Sequence, residues 1–199
     1  MKRFFEFLYP VEDKLKKYQE ILLKWQKNFN LISKNTEKDI WNRHILDSAQ
    51  LWQYIPKQTK CLLDVGSGAG FPALVLAVLN TQEPKIQQIV LVEKDPQKCV
   101  FLKEAARELG LNVRVLNCKI EDVELQDVDV ITARAFSSLD KLIQIMRPFY
   151  HPGIIGLFLK GERVDDEINE LKTRVVLDKL PSLTHNNSQI VYVKEIFYP

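Results

Sequence analysis

The sequence predicts an α/β fold: a mostly parallel seven-stranded sheet with an antiparallel edge hairpin, preceded by an N-terminal helical extension. Three observations carry this. From residue 61 onward, short apolar runs alternate with helical patterns, as parallel strands joined by crossover helices do. The stretch Cys61-Leu-Leu-Asp-Val-Gly-Ser-Gly-Ala-Gly-Phe-Pro72 reads as a buried strand, a glycine-rich turn and the start of a helix. The last two strand-like runs are separated only by the polar stretch Pro181–Ser188, too short for a crossover helix.

In chain order, Val11, Leu15, Tyr18, Leu22, Trp25 and Phe29 recur at helical spacing and predict an amphipathic helix over 11–29. Its lysines read first as a solvated face, and secondly as a surface for RNA phosphate. Asn30 to Ser33 breaks it. Thr36 is a candidate N-cap for a second helix reaching Trp52. In that helix Arg43, His44 and Asp47 lie within one turn and are expected to form a polar knot. Pro56 ends the helical region, which divides the chain into an extension over 1–56 and a core over 57–199. Strands are expected at 61–65, 88–93, 112–117, 128–133, 154–159, 175–180 and 189–197. Helices are expected at 73–79, 96–109 with Val100, Leu102, Ala105 and Leu109 inward, 139–146 and 164–173. Gly110 suits a helix C-cap.

A net charge of +2 does not mark a general nucleic-acid binder, so any basic surface must be local. Cys61, Cys99 and Cys118 are far apart in or beside apolar elements, and read as buried free thiols in a reducing compartment. No Cys/His spacing suggests a metal site, and no apolar run is long enough to span a bilayer. A cytoplasmic protein is expected.

The candidate site follows from the parallel sheet, whose strand C-termini form one edge. That edge collects Asp64, Glu93, Lys119-Ile120-Glu121, Arg134 and Lys160. Gly66, Gly68 and Gly70 let the backbone turn tightly and approach a ligand. The Gly-x-Gly-x-Gly spacing is not that of dinucleotide binders. Glu93, at the end of the second strand, is placed to accept from ribose hydroxyls. Carboxylates at this edge repel pyrophosphate but suit a ligand with a ribose and a positive charge, such as S-adenosylmethionine. Ile120 is expected to pack on an adenine face beside Glu121. Arg134 emerges from a buried strand, so its guanidinium needs a carboxylate, a phosphate or a carbonyl. An ion pair with Asp64 or Glu93 is one reading; contact with cofactor or substrate is the other. No Tyr-x-x-x-Lys pair and no cysteine in a nucleophile loop are present, which argues against a common dehydrogenase class and against attack on a pyrimidine carbon.

Six blocks resemble the bacterial small-subunit rRNA guanine-N7 methyltransferase family, RsmG or GidB. They are Trp25 with Phe29-Asn30-Leu31, Arg43-His-Ile-Leu-Asp-Ser48, Asp64 to Pro72, Lys98-Cys-Val-Phe-Leu-Lys103, Arg134-Ala-Phe-Ser-Ser-Leu139 and Leu159-Lys-Gly161. The resemblance covers nearly the whole chain. It implies a class I, Rossmann-like methyltransferase fold and S-adenosyl-L-methionine as donor. The acceptor it implies is a guanine in the decoding-region loop of 16S rRNA, within the small subunit or its assembly intermediate. Residue by residue, it implies donor contacts from Gly66, Phe71, Ile120, Glu121 and Arg134, beside Asp64, Gly68 and Glu93. It implies positioning of the reaction by Arg134 and Asn30, and RNA contacts from Asn30, Arg43, Lys119 and Lys160. Ala73, Lys119 and Ser188-Gln189 depart from the family pattern. No metal and no membrane partner are implied, and a monomer is expected. Two rival readings are a non-catalytic S-adenosylmethionine-binding ribosome-assembly protein and a methyltransferase for a small molecule.

Overall fold

The computed structural model describes the backbone of residues 2–198 and the side chains of residues 6–198. A 3-10 helix, Lys2–Val11, leads into α1, Glu12–Gln26. The next helical region is not one helix. It runs as α2 (Lys34–Glu37), a π-helical turn (Trp41–Leu46), α3 (Asp47–Ala49) and a 3-10 turn (Gln50–Tyr54). Ser33, in extended conformation, occupies the N-cap of α2, and Thr36 lies inside the turn with its hydroxyl donating to Ser33 O at 2.9 Å. The expected Thr36 cap is therefore displaced by three residues.

Strands and helices then alternate: β1 (Thr59–Val65), α4 (Ala73–Asn80), β2 (Ile86–Glu93), α5 (Pro96–Glu108), β3 (Arg114–Asn117), β4 (Val128–Arg134), α6 (Leu139–Met146), β5 (Ile155–Lys160), α7 (Val164–Asn169), β6 (Arg174–Pro181) and β7 (Gln189–Phe197). The sheet has seven strands in the order β3-β2-β1-β4-β5-β7-β6. β1 to β5 are parallel, and β7 runs antiparallel to both β5 and β6. The order reverses between β1 and β4. This is the switch point at which the loops leaving two adjacent strands diverge and open a crevice.

α4 explains the N-terminal extension. It is apolar on every face, with Ala73 to Leu79 all buried, and such a helix needs cover on every side. One side meets the sheet; the other meets α1 and α3. Leu15, Tyr18, Ile21 and Leu22 of α1 supply that cover within one hydrophobic cluster that continues to Leu62 and Leu91 of the sheet. Tyr18, fully buried, donates its hydroxyl to Ala69 O in the glycine turn. A second cluster fills the opposite face of the sheet, where α6 packs Leu139, Leu142, Ile143 and Met146 over Leu63, Ile131 and Phe158.

Three expectations are corrected. Val100 on α5 is 56% exposed, while Phe101 and Leu102 are buried, so the inward stripe runs through Phe101. α7 ends at Asn169, four residues early. Cys61 and Cys99 are buried thiols, but Cys118 is only half-buried.

Tyr18→Phe removes the donor to a buried carbonyl, which exchanges one satisfied acceptor for an unsatisfied one. Urea unfolding is expected to show a loss of about 1–2 kcal/mol.

Candidate functional site

Two adjoining cavities open at the switch point. The first, about 510 Å³, is lined by the glycine turn (Gly66, Gly68, Phe71), the end of β2 (Glu93), the turn after β3 (Lys119, Ile120, Glu121) and the loop after β4 (Arg134, Ala135, Phe136). The second, about 400 Å³, lies against the N-terminal region and the β6–β7 loop, with Arg43, His44, Asp47, Lys160, Thr184 and His185 in its walls. Leu31, Arg134 and Ala135 belong to both. Leu31 is held there by Gln26, whose Oε1 accepts from Leu31 N at 2.9 Å and Ile32 N at 3.1 Å.

Glu93 braces the glycine turn. Its Oε2 accepts from Gly68 N at 2.9 Å and its Oε1 from Asp95 N at 2.9 Å. Each carboxylate oxygen has a second lone pair, so capacity remains for a ribose hydroxyl. A Cβ on Gly68 would meet nothing closer than Gly66 O at 3.8 Å, so its cavity side is open. At Gly66, by contrast, a Cβ would lie 2.1 Å from Phe136 Cδ2. Phe136 folds back over the turn because Ala135 adopts a left-handed conformation, φ 50°, a strained backbone of the kind found at ligand sites.

Asp64 does not reach the first cavity. It is 1% exposed beneath the turn. β1 and β4 pair Asp64 with Thr132, and the Thr132 hydroxyl donates to Asp64 Oδ1 at 2.6 Å. Oδ2 has no partner. Burial pushes its carboxyl up to about 6, against the hydrogen bond from Thr132 and the charge of Arg134, while the Ser67 hydroxyl donates to the Asp64 backbone carbonyl at 3.2 Å. Asp64, expected at the donor, thus lies under the loop and outside the lining of the first cavity.

Arg134 forms no ion pair with Asp64 or Glu93 among the described residues. Its Nη1 donates to Arg43 O at 3.0 Å, and its guanidinium carbon lies 4.9 Å from the centre of the Phe71 ring. His44 stacks on the same ring at 4.9 Å and 22°. Among the described residues both His44 nitrogens are sealed without partners, and burial, with Arg134 and Arg43 nearby, lowers its pKa to about 3. It is therefore a neutral stacking wall at working pH. The expected knot of Arg43, His44 and Asp47 does not close on itself. Arg43 Nη1 meets His185 Nε2 at 2.7 Å, and Asp47 reaches the hydroxyls of Ser182 and Thr184.

Of the residues expected at RNA, Arg43 and Lys160 line the second cavity and Lys119 the first. Lys160 is already engaged: its Nζ pairs with Glu167 at 2.6 Å and donates to Ser137 O at 2.7 Å. Asn30 is exposed and lines neither cavity. Sequence reasoning missed Phe136, Thr132 and the Ser182–Thr184 hydroxyls, whose roles depend on a left-handed residue, a strand register and a distant loop. Among the described residues no group of three or more His, Cys, Asp and Glu is placed to hold a metal, and no helix is long and apolar enough to cross a membrane.

The Asp64 pKa carries a stability consequence. A carboxyl raised in the folded state binds its proton preferentially there, so this group makes folding less favourable as pH rises from about 4 to 6. Asp64→Asn keeps the Oδ1 acceptor and removes the ionisation. Its stability relative to the parent is expected to rise by up to about 3 kcal/mol across that window and then level off, as read by urea unfolding at each pH.

The family model for rRNA small subunit methyltransferase G matches residues 11–191. Ribosomal RNA small subunit methyltransferase G of Rhodospirillum rubrum is 41% identical over 186 residues, covering 92% of this chain and 90% of that protein. The protein of the same name from Dinoroseobacter shibae is 37% identical, covering 92% and 95%. Among solved structures, a SAM-dependent methyltransferase from Aquifex aeolicus matches with a TM-score of 0.60 at 18% identity, covering 77% of this chain and 91% of that one. The tRNA (m1A58) methyltransferase TrmI from Aquifex aeolicus matches with a TM-score of 0.57 at 14% identity, covering 77% and 69%. These two likenesses establish the fold as that of class I, Rossmann-like methyltransferases. With a family model across most of its length and relatives near 40% identity, the chain belongs to the rRNA small subunit methyltransferase G family.

Proposed function

We propose that this chain methylates N7 of an unpaired guanine in the decoding-region loop of 16S rRNA, within the small subunit or an assembly intermediate, acting as a monomer in the cytoplasm. At the coarser level the family fixes the activity: the chain is a methyltransferase of small-subunit rRNA, and S-adenosyl-L-methionine is its donor. The observation that carries the reading is the meeting of two cavities at Arg134. One has the features a ribose-bearing cation needs; the other is large enough for a base.

The residues fit the donor. The open face of Gly68 admits close approach, the Glu93 carboxylate has lone pairs to spare, and Ile120 with Val92 offers an apolar shelf. When bound, S-adenosylmethionine supplies an electrophilic methyl group. Gly66, Gly68, Phe71, Glu93, Ile120, Glu121 and Arg134 are the residues we assign to hold it. Asp64 is assigned to support the turn from below.

Guanine N7 has a lone pair and no proton, so no side chain has to act as a general base. The task left to the protein is orientation and exclusion of water. Arg134 is suited to it. Its plane is fixed by Phe71 and the Arg43 carbonyl, and its free N–H groups can hold guanine O6 or a phosphate. Arg43 and Lys119, both exposed, are assigned to RNA phosphate. Asn30, exposed beside Leu31, is assigned to the RNA and not to the reacting atoms. Lys160 is assigned to order the loop before α6 through Ser137 and Glu167. The extension over 1–56 contributes Leu31, Arg43, His44 and Asp47 to the base cavity, which gives it a substrate-facing role.

Labelled methyl transfer to small subunits that lack the modification, followed by base mapping, tests the reading. One N7-methylguanine in the decoding-region loop is expected; transfer to another base or molecule refutes the acceptor, and donor binding without transfer favours the non-catalytic rival. In the same assay Arg134→Ala is expected to lower kcat/KM by about 10²-fold, the scale of a lost orienting contact. Glu93→Gln is expected to weaken donor binding about 10- to 100-fold by calorimetry, since a charged acceptor becomes neutral. Subunit affinity is expected to fall with salt at a log–log slope of about −2, the value for about three single-strand phosphate contacts.

A further inference from the structure

We infer that Asp47 reads the Watson–Crick edge of the target guanine and so sets base specificity, an inference that rests on the reading above. Asp47 is 7% exposed in the wall of the second cavity. Its Oδ1 is fully engaged: Gln50 Nε2 donates at 2.8 Å, Thr184 Oγ1 at 2.8 Å and Ser182 Oγ at 3.1 Å. Gln50 is itself locked, donating to Asp47 O at 3.0 Å and accepting from Leu183 N at 2.9 Å. One carboxylate oxygen is thus held by three donors, which fixes the plane of the group.

The other oxygen is different. Oδ2 accepts no hydrogen bond among the described residues. It is also not sealed: the sealed atoms without partners are the two His44 nitrogens and Asp64 Oδ2. Two arginines line the same cavity, and neither pairs with it. Arg43 is turned to His185 and Arg134 to the Arg43 carbonyl. His44, held neutral, offers no cation either. A rigid carboxylate with one free oxygen, under the charges of Arg134 and Arg43 but in an ion pair with neither, is an acceptor open to a donor.

Guanine presents two adjacent donors on its Watson–Crick edge, N1–H and N2–H, and one oxygen with two lone pairs can accept from both. Adenine presents an N1 lone pair there, which a carboxylate repels. Unpaired target bases in RNA are read on this edge. N7 lies on the other edge of the base, and only O6 is shared by the two. A guanine held through N1–H and N2–H by Asp47 therefore keeps N7 free of the reading contact. The boundary with the donor cavity, at Arg134 and Ala135, is where that free edge has to lie for transfer. Selection and reaction then use separate edges, so holding the base tightly does not block the atom that reacts.

The test compares small subunits reconstituted with guanine or inosine at the mapped target. Inosine lacks the N2 amino group and keeps N7. The full-length protein is expected to lose about tenfold in kcat/KM on inosine, the scale of one hydrogen bond to a charged group. Asp47→Asn keeps the Oδ1 acceptor and puts a donor at Oδ2. It is expected to lose about 10²-fold on guanine, to treat guanine and inosine within about twofold of each other, and to bind S-adenosylmethionine normally. Ser182→Ala, which on Asp47 removes a donor to Oδ1 alone and leaves those from Gln50 and Thr184, is expected to keep the parental guanine-to-inosine ratio. An Asp47→Asn protein with the parental ratio, whatever its absolute rate, overturns the inference. Should that variant not fold, the parent protein decides alone: equal rates on guanine, inosine and N1-methylguanine overturn it as well. Failure of the parent to form any N7-methylguanine is a separate outcome that removes the proposed reaction, and this inference with it.

Discussion

The Phe71 ring is the joint on which the site depends. Tyr18 from α1 approaches it at 5.2 Å, His44 stacks on it and Arg134 lies over it. Three segments that are far apart in sequence thus meet on one ring: the N-terminal helices, the glycine turn and the end of β4. A half-buried arginine needs its N–H groups satisfied and its charge stabilised. Phe71 supplies a π face and the Arg43 carbonyl supplies an acceptor. Arg134 can then stand at the boundary of both cavities without an ion pair that would compete with a ligand.

This arrangement makes the N-terminal extension part of the site as well as cover for α4. An α4 apolar from Ala73 to Leu79 draws α1 and α3 onto the core, and α3 with the 3-10 turn after it brings Asp47 and Gln50 to the β6–β7 loop. The β6–β7 edge hairpin is held at the other end of the same network. The requirement to bury one helix therefore builds walls of a second cavity.

Much of this was legible in the sequence, for physical reasons. β1, the glycine turn and α4 carry strong local signals: an apolar run, alternating glycines and a second apolar run. Glu93 was legible because strand C-termini converge at one edge in any parallel sheet. The phase of α5 was not, because Val100 and Phe101 are both apolar and only packing chooses between them. The break of the second helix into a π turn and 3-10 pieces was not visible either, since 34–54 keeps a helical pattern throughout. Phe136 over Gly66 depends on a left-handed Ala135, which has no side-chain signature. Asp47 was legible as polar and clustered, but its partners lie 135 and 137 residues away, beyond any local pattern. Lys160 read as a strand-end residue near the RNA; the acid that engages it, Glu167, sits on α7, whose charged face gave no hint of that contact.

The central claim is that Phe71 holds Arg134 where donor and base meet. A double-mutant cycle of Phe71→Leu with Arg134→Lys, read as kcat/KM for methyl transfer to small subunits, tests it directly. The account predicts a coupling of about 1 kcal/mol or more, because each substitution alone already releases the guanidinium from the ring. Additive effects would show that the ring and the arginine act independently, and would contradict it.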